Sequence, residues 1–183
     1  MKLGSVTVFA VAALTLSGCA TSPGNPPPPQ GGGASATATI EGRSNTNTGG
    51  TARFTQSGKE ISLLLQVTNL TPGTHAVHIH EKGDCSAPDA SSAGPHWNPT
   101  GQSHGRWGHN GFHLGDLGNL DATADGTATL KLSTDQWTLG DGGPTDIVGK
   151  AVVVHAGVDD FTSQPAGNAG GRVGCGVITA AGR

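Results

Sequence analysis

All eight histidines of this 183-residue chain lie between His75 and His155, seven of them between His75 and His113, in a sequence without tyrosine. Imidazole is a good ligand for copper, zinc, iron and nickel, so this concentration points to metal chemistry. The densest run is Thr74-His75-Ala76-Val77-His78-Ile79-His80-Glu81. A β-strand turns successive side chains to opposite faces, which sends His78 and His80 one way and Val77 and Ile79 the other. Two rings on one strand face, backed by apolar residues suited to a core, make half of a site for an ion. His75 shares its parity with Val77 and Ile79 and is expected to be a buried, hydrogen-bonded structural histidine. Beyond this run stand His96, His104, His109, His113 and Asp116, and then Val152-Val153-Val154-His155, whose alternation sets His155 opposite Val152 and Val154.

The elements that must carry these residues are strands. Alternation predicts them at 36–41, 52–56, 61–70, 75–81, 128–132, 148–155 and 173–179, separated by turn signals such as Gly49-Gly50, Ser57-Gly58, Thr71-Pro72-Gly73 and Ala124-Asp125-Gly126. Glycine, at 31 residues, is well above its background of roughly 7%, and no long stretch repeats the apolar period of an amphipathic helix. An all-β sandwich or flattened barrel is expected. Two irregular stretches, about 83–117 and 157–171, are too long to be simple connections, and loops of that kind usually carry function. Asp121, Asp125, Asp141 and Asp146 read as turn and solvating residues.

A formal charge of −3 and the absence of a lysine or arginine cluster exclude a nucleic-acid surface, which needs a basic stripe. The length suits one folded domain. Residues 1–18 read as a lipoprotein signal peptide: Lys2 is a short positive start, Val6 to Leu16 an apolar stretch too short to span a bilayer, and Leu16-Ser17-Gly18-Cys19 resembles the bacterial lipobox. Cleavage would leave Cys19 lipidated at the new N-terminus, an anchor on the periplasmic side of the cell envelope, and Ala20 after it resembles the outer-membrane sorting pattern. An ordinary secretory signal with an incidental Cys19 is the alternative. Residues 19–35, rich in proline and glycine, read as a tether, leaving 36–183 as the domain. Cys85 and Cys175 then remain as an even pair in an oxidising compartment, which a disulfide would use most simply; two thiols as metal ligands are the competing idea.

Several motifs agree in order and spacing with one family. His78-Ile79-His80-Glu81, Gly94-Pro95-His96, His113-Leu114-Gly115-Asp116-Leu117-Gly118-Asn119, Val153-Val154-His155 and Gly167-Asn168-Ala169-Gly170-Gly171-Arg172 resemble the copper/zinc superoxide dismutases, over about residues 36–181. The resemblance implies a Greek-key barrel of about eight antiparallel strands with two functional loops, and disproportionation of superoxide to dioxygen and hydrogen peroxide in antioxidant defence. It implies His78, His80, His96 and His155 as copper ligands and His96, His104, His113 and Asp116 as zinc ligands, with His96 bridging. It also implies Asp159 as the carboxylate that orients one histidine of each set, and Arg172 as the arginine that guides the anion. Four nitrogens suit Cu(II), and three nitrogens with one carboxylate suit a closed zinc site. The second loop is short, carries Ala166 where relatives often have a hydroxyl, and has few charges for long-range steering. The resemblance gives His109 no role, so it reads as a solvent-exposed loop residue. Relatives differ in how they associate, which leaves a homodimer open.

A non-catalytic exported metal buffer is the runner-up, and such a protein would be expected to lack a copper ligand or the arginine. A structural envelope sandwich is a third class, with no use for so many inward imidazoles.

Overall fold

The computed structural model describes residues 33–181, with Met1; the signal peptide, Cys19 and the tether lie outside the described residues except for their last few positions. Nine strands follow one another: β1 (Ser35–Gly42), β2 (Gly49–Ser57), β3 (Glu60–Thr68), β4 (Gly73–His80), β5 (Asp116–Ala122), β6 (Ala128–Thr134), β7 (Ala151–His155), β8 (Arg172–Val177) and the short β9 (Thr179–Ala180). The only helical turn among the described residues is Ser91–Ala93. The hydrogen-bonded order is β5-β4-β7-β8-β1-β2-β3-β6, with β9 added to β1, and every pairing is antiparallel. The two ends of this path, β5 and β6, come into contact and nearly close a barrel. Connections from β3 to β4 and from β6 to β7 cross between the halves, as a Greek key requires.

Alternation builds the core. Ile61, Leu63, Leu65 and Val67 on β3 point inward, as do Phe54 on β2, Val77 and Ile79 on β4, and Val152 and Val154 on β7. Each such side chain contributes about 1.5–3 kcal/mol by leaving water. The strand that the periodicity misses is β5. Gly118 and the polar Asn119 and Asp121 interrupt its apolar pattern, which survives only in Leu120 and Ala122, while Leu117 joins the core from the bulge. The first loop accordingly ends at Gly115 rather than Leu117.

Two irregularities decide where the metal-type residues point. The β4–β5 register slips between Val77 and His78, so that Val77 faces Gly118 but His78 faces Asp116. The β7–β8 register slips between Val154 and His155, so that Val154 faces Gly174 but His155 faces Arg172. Such bulges re-aim side chains at the rim of a barrel. At the first, Gly118 has φ +96°, a conformation that a residue with Cβ adopts only under strain.

The first loop is strapped to the barrel at both ends. Cys85 is joined by a disulfide to Cys175 on β8. His96 bridges to His80, the Trp97 N–H donates to the Ile79 carbonyl at 2.8 Å, and the Ile79 N–H donates to the Gly115 carbonyl at 2.8 Å. Asp146, expected in solvent, is instead buried, accepting the backbone N–H groups of Gly140, Gly142 and Val148. Unpaired N–H groups would be costly there, and one carboxylate satisfies all three.

Candidate metal centre

His78, His80, His96, His104, His113, His155, Asp116 and Asp159 are all buried. Each of the first group of imidazoles has one nitrogen tied down and the other turned inward. His78 Nε2 donates to Asp159 Oδ2 at 2.9 Å, His80 Nδ1 to the Gly94 carbonyl at 2.8 Å, and His155 Nδ1 to the Gly170 carbonyl at 3.4 Å. A carbonyl accepts only, so His80 and His155 carry their proton on Nδ1. Their Nε2 lone pairs then face one another at 3.4 Å. That arrangement is repulsive until a cation lies between them. Donor atoms of His78, His80, His96 and His155 all lie within 4.8 Å of one another.

Asp116 organises the second group. Its carboxylate stands 2.9 Å from His96 Nδ1, 3.0 Å from His104 Nδ1 and 3.2 Å from His113 Nδ1. It also accepts the N–H groups of Gly105 at 3.1 Å and His113 at 2.8 Å. Yet His104 Nδ1 and His113 Nδ1 make no hydrogen bond, and neither do His78 Nδ1 and His96 Nε2. Buried nitrogens are normally paired. Four without partners around one carboxylate fit metal ligands; His78, His96, His104 and Asp116 form a second close-set donor group, and His113, though 3.2 Å from Asp116, falls outside it. His78 and His96 both come within reach of the second group as well as the first, and His78, with its Nε2 held by Asp159, has one nitrogen left to offer.

Electrostatics divide the two halves. Burial, reinforced by neighbouring imidazoles, pushes His80 down to about 2 and His155 down to about 3. Burial likewise holds His96 down to about 4, against the opposing pull of Asp116. These rings are neutral at pH 7, with lone pairs available. Burial also acts to lower His104, but the two carboxylates against its ring, Asp116 beside Nδ1 and Asp159 bonded to Nε2, prevail and raise it to about 9. Both carboxylates sit well below their usual range: burial opposes this, and their imidazole partners overcome it.

Asp159 spans the halves, accepting His78 Nε2 on Oδ2 and His104 Nε2 on Oδ1, both at 2.9 Å. Asn119 fixes Asp159 in turn: its amide takes the Asp159 backbone N–H at 2.8 Å and gives a bond to the Asp159 carbonyl at 3.0 Å. Arg172 lines the same cleft as His80, His96 and His155. Its Nη1 and Nη2 donate to the carbonyls of Ala90 at 2.7 Å and Gly94 at 2.8 Å. His75 is buried outside both groups, its Nδ1 2.8 Å from the His155 carbonyl and its Nε2 2.8 Å from that of Thr71, and His109 is exposed.

Sequence reasoning overlooked the parts played by the Gly94 carbonyl, Gly167 and Asn119. A carbonyl shared by His80 and Arg172 leaves no mark in the residue types. Gly167, at φ +64°, stands where a Cβ would come within 1.9 Å of Asp159 Oδ1; the glycine itself was visible, its neighbour was not.

Residues 48–178 match the family described as copper/zinc superoxide dismutase (SODC). An extracellular superoxide dismutase [Cu-Zn] of Brugia pahangi is 41% identical over 143 residues, spanning 73% of this chain and 70% of that protein. Among solved structures, the clock protein EA4 aligns with a TM-score of 0.71 at 36% identity, over 82% of this chain and 96% of that one.

Proposed function

Because the chain belongs to the copper/zinc superoxide dismutase family and disproportionates superoxide to dioxygen and hydrogen peroxide, we propose that His78, His80, His96 and His155 hold its copper ion, and that His96, His104, His113 and Asp116 hold its zinc ion. The observation that carries this reading is His96. It is the one imidazole with a nitrogen toward each group: Nδ1 lies 2.9 Å from Asp116 Oδ1, and Nε2 is buried without a partner on the side of His78 and His80. When bound, copper supplies the one-electron oxidation and reduction that the reaction needs, and zinc, in a closed site, supplies structure.

The protein's own groups do the rest. Arg172, charged at any accessible pH, attracts the anion to the cleft, and its bonds to Ala90 and Gly94 keep the guanidinium beside His80 and His155. His96 Nε2 can take a proton whenever it is not a ligand, while Nδ1 keeps the ring in place. Asp159 orients His78 and His104 through the nitrogen that each ring does not use for ligation, as outer carboxylates do in metal sites. Replacing His80 with alanine should abolish superoxide consumption and copper retention while zinc stays bound. Full copper occupancy with undiminished turnover in that variant would overturn the assignment.

We further propose that residues 1–18 are removed as a signal peptide, that Cys19 is lipidated, and that 19–35 tether the domain 36–183 at the periplasmic side of the envelope, on the outer membrane. The lipobox-like Leu16-Ser17-Gly18-Cys19 supports this, and the Brugia relative is named as extracellular. Membrane fractionation of wild type against Cys19→Ser tests it: the wild type should be membrane-bound and the variant not.

A further inference from the structure

His104 differs from the other imidazoles in what holds its backbone. His78, His80 and His155 lie on strands, and His96 lies in a β-bridge. His104 lies in the first loop, and among the described residues no main-chain group bonds its N–H or its carbonyl. Both are taken by one side chain from the other loop. The His104 N–H donates to Gln164 Oε1 at 2.9 Å, and Gln164 Nε2 donates to the His104 carbonyl at 2.9 Å. This is the pairing that Asn119 makes with Asp159. The same short second loop holds the His104 ring through Asp159, and its Phe161 ring receives the Arg106 guanidinium at 4.0 Å.

We propose that Gln164 is a positioning residue for His104, through which the second loop fixes the zinc half of the site. An amide is the fitting group, since it offers one donor and one acceptor side by side to a backbone that presents one of each. Without it, two backbone groups of a buried residue lose their partners, and the ring is free to turn away from Asp116. The inference rests on His104 being a zinc ligand.

The holoenzyme, loaded with copper and zinc, allows both to be tested, using Gln164→Ala, Gln164→Glu, His104→Ala and Thr162→Ala. Glutamate keeps the shape of Gln164 but sets an oxygen against the His104 carbonyl. Gln164 is exposed, so these changes leave the core intact. Zinc retention is read by chelator competition, and site geometry by the visible spectrum of Co(II) in place of zinc. Both Gln164 variants are expected to lose zinc affinity by about tenfold, in the range found for outer-shell partners, with an altered cobalt spectrum and unchanged copper content. Thr162→Ala, an exposed change on the same loop, should match wild type. If both Gln164 variants keep wild-type zinc affinity and cobalt spectrum while His104→Ala loses zinc, the positioning role is wrong and the ligand stands. If His104→Ala keeps its zinc, the ligand reading fails and this inference with it.

Discussion

His155 and Arg172 are direct cross-strand partners, brought opposite each other because the β7–β8 register slips by one residue after Val154 and Gly174. The guanidinium proposed to meet the anion is therefore fixed to the same rung as a histidine of the proposed copper set. It is also tied to the loop that carries Gly94, whose carbonyl accepts from both Arg172 and His80. Changing Arg172 to alanine should lower kcat/KM by about tenfold at low ionic strength, with a smaller loss at high salt, since screening shortens the reach of the charge. Equal losses at all salt concentrations would mean that Arg172 acts only locally.

The Cys85–Cys175 disulfide closes a loop of 90 residues and holds the segment whose Ala90 and Gly94 carbonyls anchor Arg172. Replacing both cysteines with serine should destabilise the fold by about 2–4 kcal/mol. Turnover should fall more than copper content does, as the guanidinium loses its anchor. Denaturant unfolding, together with metal analysis, checks both parts.

Gly167→Ala should damage the centre although glycine does no chemistry. The added Cβ would fall 1.9 Å from Asp159 Oδ1 and 2.6 Å from His104 Nε2, so the carboxylate must leave its bridge. Metal affinity is expected to drop by about 10–100-fold. A variant that holds both metals as tightly as wild type would show that the Asp159 bridge is dispensable.

Zinc uptake by metal-free protein should release a proton. His104 is raised to about 9, so it is protonated at pH 7 and must become neutral to ligate. Apparent zinc affinity should then rise about tenfold per pH unit between pH 7 and 8. In the metal-free protein the sign is opposite for stability: the His104 contribution is complete below its ordinary value of 6.5 and fades as pH rises through 9. Calorimetry in buffers of different ionisation enthalpy counts the proton, and a pH-independent affinity would rule it out.

Alternation in β4 and β7 is a local property, so the strands, their inward Val77, Ile79, Val152 and Val154, and the opposite-facing His78, His80 and His155 were legible in the sequence. The structural part of His75 followed from the same parity. The even cysteine pair was legible too, because it needed only counting and a compartment. What parity does not contain is register. The slips beside His78 and His155 depend on which residues of β5 and β8 are left unpaired, and they alone bring Asp116 and Arg172 opposite the histidines. Strand β5 itself was hidden, because the glycine that permits its bulge also breaks its apolar pattern. The hold of Gln164 on His104, 60 residues away, is set by where two loops meet. Loop contacts of that kind carry no periodicity, and only the folded chain decides them.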